Sequence, residues 1–250
     1  MVSIKSDREI ELMRHAGHVN YLCHKLLMSH IKPGITTKQL DKIAYDFILS
    51  EDCTPSFLNY NGFPASICTS VNDEIVHGIP GNRKLKNGDI ISIDIGVIYK
   101  GYHSDSARTF AVGSISEDKM HLLKYTEESL YEGLKQVKPG AKIGDIGSAI
   151  EKYAHKYGLG VIEELVGHGV GSNLHESPDV PNYGESGTGM KLKVGMTLAI
   201  EPMLNLGSKE ICMLDDDWTI VTIDGKPSAH FEHTVLVTVD GCEILTGERK

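Results

Sequence analysis

The chain has 250 residues, 40% of them hydrophobic, enough to bury one substantial core and too few for several independent domains. A net charge of −9 with no run of Lys or Arg argues against a nucleic-acid footprint, and no stretch nears the roughly 18 consecutive apolar residues of a membrane span. Five cysteines (Cys23, Cys53, Cys68, Cys212, Cys242) form an odd set without CxxC spacing, and the start Met1-Val2-Ser3-Ile4-Lys5-Ser6-Asp7-Arg8-Glu9 is charged where a signal peptide would be apolar; both predict a reducing, cytoplasmic setting.

In chain order, Ser6 or Asp7 caps a predicted helix whose Ile10, Met13, Leu22, Leu26 and Leu27 share one stripe, ending at Pro33-Gly34. Thr36 or Thr37 caps a second, with Leu40, Ile43, Ala44, Phe47 and Ile48 turned inward. Segments 66–71, 90–98 and 102–112 then read as strands, rich in Ile, Val and Thr between Gly, Asn and Asp. Ser116 opens a third helix through Leu122, Leu123, Leu130 and Leu134 to Pro139-Gly140, and a fourth carries Ile146, Ala149, Ile150, Tyr153 and Ala154. Strand-like segments 196–204, 218–223 and 230–239 complete the chain.

These elements repeat. Lys32-Pro33-Gly34 and Lys138-Pro139-Gly140 stand 106 positions apart, as do the inward residues of the second and fourth helices. Lys84-Leu85-Lys86-Asn87-Gly88 leads to Asp94 as Lys191-Leu192-Lys193-Val194-Gly195 leads to Glu201, at an offset of 107. Two copies are too few for a solenoid and predict pseudo-twofold symmetry, and long helices preceding strands in each half make the expected fold α+β. Two pseudo-twofold halves, roughly 1–112 and 113–250, should share one curved antiparallel sheet with helices packed on its outer face.

Each half thus delivers an acid on a buried strand, where an ionised carboxylate is costly unless a cation or donor compensates it. A hairpin turning near Tyr99-Lys100-Gly101 sets Asp94 opposite either Asp105 or Ala107, and in both registers the two acids project from one side. Like charges there repel, so the pair predicts something positive between them. Glu232, inside the apolar run Phe231 to Val239, adds a further acid. His168, in the glycine-rich loop Val166-Gly167-His168-Gly169-Val170-Gly171, adds a nitrogen; the Lys and Ser/Thr of a phosphate-binding loop are missing.

Seven motifs occur in a specific order: Asn72-Asp73-Glu74-Ile75-Val76-His77-Gly78-Ile79-Pro80, Ile93-Asp94-Ile95-Gly96, Ser104-Asp105, Gly167-His168-Gly169-Val170-Gly171, Leu174-His175-Glu176-Ser177-Pro178, Ile200-Glu201-Pro202 and Phe231-Glu232-His233-Thr234. On these the chain resembles the type I, bacterial-like methionine aminopeptidases over nearly its whole length. The resemblance implies the pita-bread fold, one catalytic domain over 1–250, and two divalent metal ions. Asp94 would chelate one ion, His168 and Glu201 would bind the other, and Asp105 and Glu232 would bridge them. One nitrogen among many carboxylate oxygens suits Co, Mn, Fe and Zn alike.

Two such ions lower the pKa of a bridging water and polarise the scissile carbonyl. Glu201 is expected to accept the water's proton as well as to ligate. By the same resemblance His175 hydrogen-bonds the substrate carbonyl or its oxyanion, and His77 contacts the scissile amide nitrogen or the residue after it. Tyr60, Phe63, Cys68 and Trp218 would line an apolar pocket for an unbranched side chain, with His77 closing one side. Asn72 and Ser228 match a monovalent-cation site.

The implied reaction removes the initiator methionine from nascent polypeptides and prefers a small second residue. Implied partners are N-terminal methionyl peptides and nascent chains, with no specific nucleic acid, no membrane and a monomeric state; transient ribosome association stays open. Leu174 departs from the aromatic that often precedes the catalytic histidine, and Ser172 from a longer polar residue, which bears on pocket shape but not on the ligands. A proline-directed peptidase of the same fold is disfavoured because His77 lies too early to follow an N-terminal domain. The interval from Glu201 to Glu232 has no room for the helical insertion of a type II enzyme. A non-catalytic relative would lose ligands, and all five are kept.

Overall fold

The computed structural model describes residues 2–248. Among the described residues four α-helices are present: α1 (Asp7–His30), α2 (Thr37–Ser50), α3 (Glu117–Leu134) and α4 (Ile143–Lys156). Ser6 with Glu9 and Thr36 with Gln39 form reciprocal capping boxes, which resolves both alternatives in favour of the earlier residue. Ser116 caps α3 by accepting from the Lys119 N–H. At α4 the cap is Lys142, whose backbone N–H donates to the Asp145 carboxylate.

The strands are β1 (Thr54–Pro55), β2 (Ile67–Val71), β3 (Glu74–Val76), β4 (Ile90–Tyr99), β5 (Tyr102–Ala111), β6 (Gly160–Val161), β7 (Gly167–Gly169), β8 (Glu176–Val180), β9 (Thr197–Ile200), β10 (Met203–Asn205), β11 (Ile211–Met213), β12 (Ile220–Thr222), β13 (Ser228–His230), β14 (His233–Thr238) and β15 (Gly241–Ile244). Antiparallel throughout, they pair in four groups. One joins β4 to β5, β2 and β1, and one runs β15-β14-β9-β7-β8; two small ones run β13-β10-β6 and β11-β12-β3.

Strand alternation decides which side chains reach the centre. Ile91, Ile93, Ile95 and Val97 of β4 enter one core with Leu27, Leu40 and Ile48 of α1 and α2, which leaves Asp94 on the opposite face. In the second half Leu198 and Ile200 of β9 enter the other core with Leu130, Ile146 and Ile150, which leaves Glu201 on the far side. The internal repeat is visible bond by bond. Gly34 N–H donates to Leu85 O as Gly140 N–H does to Leu192 O, and Leu85 N–H to Ile35 O as Leu192 N–H does to Ala141 O. Bridges Thr36–Lys84 and Lys142–Lys191 match likewise.

Two predicted strands are interrupted, both at an acid. The run 196–204 divides into β9 and β10 at Glu201-Pro202, where proline has no N–H to continue a ladder. The run 230–239 divides into β13 and β14 at Phe231-Glu232. His168 sits in a strand rather than the expected loop: β7 lies between β8 and β9. Its glycines serve that packing, since a Cβ on Gly167 would lie 2.4 Å from Ala199 O and one on Gly169 2.5 Å from Ser177 O.

Threonine hydroxyls stitch the halves together. Thr234 Oγ1 accepts from Asp105 N–H at 2.9 Å and donates to Asp105 O at 2.7 Å. Thr109 Oγ1 does the same for the backbone of His230, at 2.9 Å each way. Between them Glu232 N–H donates to Ala107 O at 2.9 Å. β5 thereby runs against 230–234 with side chains completing what backbone pairing leaves open.

Thr234→Val strands the Asp105 N–H and C=O in a dry interface, at about 1–3 kcal/mol for each unsatisfied group. Thermal unfolding of the metal-free protein should show a lower Tm, by roughly 2–4 °C for each kcal/mol at this chain length. An unchanged Tm would contradict this account of the seam.

Candidate metal centre

Ligating atoms of Asp105, His168 and Glu232, all buried, lie within 4.8 Å of one another. His168 Nε2 is 3.8 Å from Asp105 Oδ2 and 3.6 Å from Glu201 Oε1. The His168 Nδ1–H donates to Gly169 O at 2.8 Å, because a carbonyl oxygen can only accept. That fixes the tautomer with the Nε2 lone pair aimed at the carboxylates, the form a metal ligand needs. The hairpin takes the register with Asp94 opposite Ala107 and Asp105 opposite Gly96, so the two acids are diagonal neighbours on one face.

One cavity of about 240 Å3 collects the five predicted ligands together with His77, His175, Tyr60, Phe63, Cys68 and Trp218. Its floor is carboxylate and its walls are aromatic. Phe63 and Trp218 meet edge to face with ring centres 5.0 Å apart, and His77 stands edge-on to Trp218 at 6.4 Å. His77 has φ +59, a left-handed conformation that is strained for a residue with a Cβ and is held by its surroundings. Tyr60 Oη lies 2.9 Å from His175 Nδ1, and the His175 and His168 rings are 4.1 Å apart. Cys68 faces Asp94 directly across β2 and β4. Burial, then the charge of Asp94, pushes its thiol well above the usual range, so it lines the pocket as a small neutral group.

Asn72 and Ser228 meet elsewhere, through a 2.9 Å bond from Ser228 N–H to Asn72 O. There the Asn72 side-chain oxygen receives the Lys119 ammonium at 2.9 Å, which also donates to Gly88 O at 2.7 Å.

No Lys or Arg among the described residues lines the cavity. Burial first, and mutual repulsion after it, therefore pushes the acids upward: Asp94 to about 7, with Asp105 and Glu232 well above the carboxylate range. Burial alone raises Glu201 to about 8. Buried oxygens Asp94 Oδ1, Asp105 Oδ1 and Glu232 Oε1 have no hydrogen-bond partner. Burial holds His168 down to about 4, so it is neutral at pH 7. Orphaned carboxylate oxygens around a neutral, correctly oriented imidazole fit divalent cations.

Three features escaped the sequence reading. Phe57 and Asn61 also line the cavity. Buried His230 places Nε2 3.6 Å from Glu201 Oε2 and 4.0 Å from Glu232 Oε2, and neither ring nitrogen has a hydrogen-bond partner. Its spacing of two from Glu232 was the available signal, since such residues share a strand face.

Residues 11–239 match the sequence pattern of metallopeptidase family M24. The chain belongs to that family of metal-dependent hydrolases. Within it, the chain is 55% identical over 246 residues to methionine aminopeptidase 1 of Bacillus subtilis, covering 98% of this chain and 99% of that protein. Solved methionine aminopeptidases from Thermotoga maritima and Rickettsia prowazekii superpose with TM-scores of 0.98 and 0.97, each at 42% identity, over 99% of this chain and 100% of theirs. The pita-bread fold is thereby established.

The pKa shifts give metal binding a direction with pH. A carboxyl whose folded pKa is raised favours the protonated folded state, so between about 4 and about 8 these acids increasingly destabilise the metal-free protein as pH rises. A divalent ion relieves that repulsion but must first displace the protons. Calorimetric affinity for Mn should therefore rise as pH climbs through the window set by Asp94, to about 7, and Glu201, to about 8. Affinity that falls or stays level there would contradict the site.

Proposed function

We propose that the chain is a methionine aminopeptidase that removes the initiator methionine from nascent polypeptides with a small second residue. The observation that carries the reading is one cavity in which five metal-type donors abut an aromatic-walled pocket. Asp94 would hold one ion, His168 and Glu201 a second, and Asp105 and Glu232 would be shared between the two. Co, Mn, Fe and Zn all suit this donor set. When bound, two such ions supply a water of lowered pKa and a polarised scissile carbonyl.

The chain's own residues supply the rest. Glu201 accepts the proton of the attacking water. His175, oriented through Nδ1 by Tyr60, turns Nε2 toward the carbonyl oxygen and stabilises the charge that develops there. His77 contacts the scissile amide or the residue after it. Tyr60, Phe63, Cys68 and Trp218 enclose an unbranched thioether, with no cation to attract a charged side chain. Asn72 and Ser228 supply oxygens for a monovalent cation beside the Lys119 ammonium. The whole chain acts as one catalytic domain, since Asp94 and Asp105 come from the first half and His168, Glu201 and Glu232 from the second. It works as a cytoplasmic monomer on methionyl peptides and nascent chains; among the described residues no helix is long and apolar enough to cross a membrane.

Three peptides test the class. After loading with Mn, Fe or Co, Met-Ala-Ser should be cut. Met-Lys-Ser should be poor, because a long second side chain displaces the amide beside His77, and a non-methionyl X-Pro peptide should be poor as well. A higher kcat/KM for the X-Pro peptide would overturn the reading in favour of a proline-directed enzyme.

Two substitutions separate binding from chemistry. Asp105→Ala should abolish turnover and cut bound metal, since both ions lose a ligand. His175→Ala should lower kcat roughly 10²–10³-fold with metal content intact. If His175→Ala loses metal as Asp105→Ala does, the division of roles is wrong.

A further inference from the structure

The N-terminal segment reaches the catalytic loop through a buried ion pair. Lys5 Nζ lies 2.7 Å from Glu176 Oε2, with side-chain exposures of 3% and 11%. Burying two charges is costly and contributes little net stability, so a pair spanning 171 positions calls for a use beyond holding the chain together. Its second oxygen supplies one. Glu176 Oε1 accepts from Asn173 N–H at 3.2 Å and from Ser172 Oγ at 3.3 Å, closing the loop that ends in His175. Lys5 is itself pinned, its N–H donating to Gly195 O at 2.8 Å.

The surroundings are shaped to this pair. A Cβ on Gly171 would come within 2.5 Å of Lys5 Cε and 2.6 Å of Glu176 Oε1, so a larger residue there would have to push the pair aside. Glu176 also opens β8 opposite Gly169, where the register shifts between His168 and Gly169; such an irregularity re-aims neighbouring side chains. His175 therefore has its backbone anchored by Glu176 on one side and its ring held by Tyr60 on the other.

We propose that Lys5 and Glu176 are a positioning pair that fixes His175 against His168 and Tyr60, which makes the N-terminal segment part of the catalytic apparatus. This rests on the reading of His175 as the group facing the substrate carbonyl. Displacing that ring by about 1 Å costs up to ~10²-fold in rate without any change in the metal ligands.

The test compares Lys5→Met, Lys5→Arg, Glu176→Gln, His175→Ala and the double variant Lys5→Met/His175→Ala in Mn-loaded protein. Lys5→Met and Glu176→Gln should each lower kcat about 10–10²-fold at parental KM and Mn content, with partial recovery in Lys5→Arg. In the His175→Ala background Lys5→Met should cost nothing further. Nitrogen-15 spectra of the metal-free protein should show the His175 ring signals moved by Lys5→Met and those of His168 unmoved. Parental kcat in Lys5→Met and Glu176→Gln, or an equal loss in both backgrounds, would overturn the proposal while leaving the aminopeptidase reading intact. Should Lys5→Met fail to fold, Glu176→Gln decides by the same kcat and spectral criteria. A fully active His175→Ala would instead remove the role of His175 and the proposal with it.

Discussion

Four carboxylates, Asp94, Asp105, Glu201 and Glu232, converge on one cavity that no described lysine or arginine lines. In such a place acids must either keep their protons or share a cation, and the buried oxygens without hydrogen-bond partners mark the second outcome. Much of the architecture holds this repulsive arrangement together. The apolar faces of β4 and β9 anchor two of the acids from behind, through Ile93 and Ile95 on one side and Leu198 and Ile200 on the other. The remaining two are set by the seam, where Thr234 clamps Asp105 at both backbone groups and Glu232 donates to Ala107 O.

Duplication explains why the site lies where it does. Each half brings two acids to the side that its own core does not occupy, and the four meet in one cavity. Neither half alone encloses the cavity. Where the second half departs from regular strand, at Glu201-Pro202 and Phe231-Glu232, it does so at two of the proposed ligands. A continuous ladder would fix alternate side chains perpendicular to the sheet, whereas a break lets the acid turn toward its partners.

Much of this was legible in the sequence. The helices and their repeat were readable because caps and apolar spacing are local signals, and α1, α2 and α3 begin within a residue of the predicted caps. Asp94 and Asp105 were readable because a hairpin has few registers. The strand character around His168 was not, because three alternating glycines carry no apolar period and their need for space comes from Ala199 and Ser177, far away in sequence. Pro202 was a visible signal for the break at Glu201, whereas the break at Glu232 was hidden because apolar residues run on both sides of it. His230 and Lys5 were passed over for a related reason: a lone histidine or lysine acquires meaning only from the carboxylates that folding sets beside it. The ligand roles came from family resemblance; what folding adds is that the five side chains line one cavity.

The central claim is that these five side chains hold a pair of ions, and diffraction from Mn-loaded crystals at the Mn absorption edge tests it most directly. Two anomalous peaks are predicted, one against Asp94 and one against His168 and Glu201, with Asp105 and Glu232 reaching both. A cavity with no anomalous peak at full loading, or Mn bound only away from these residues, would contradict the account.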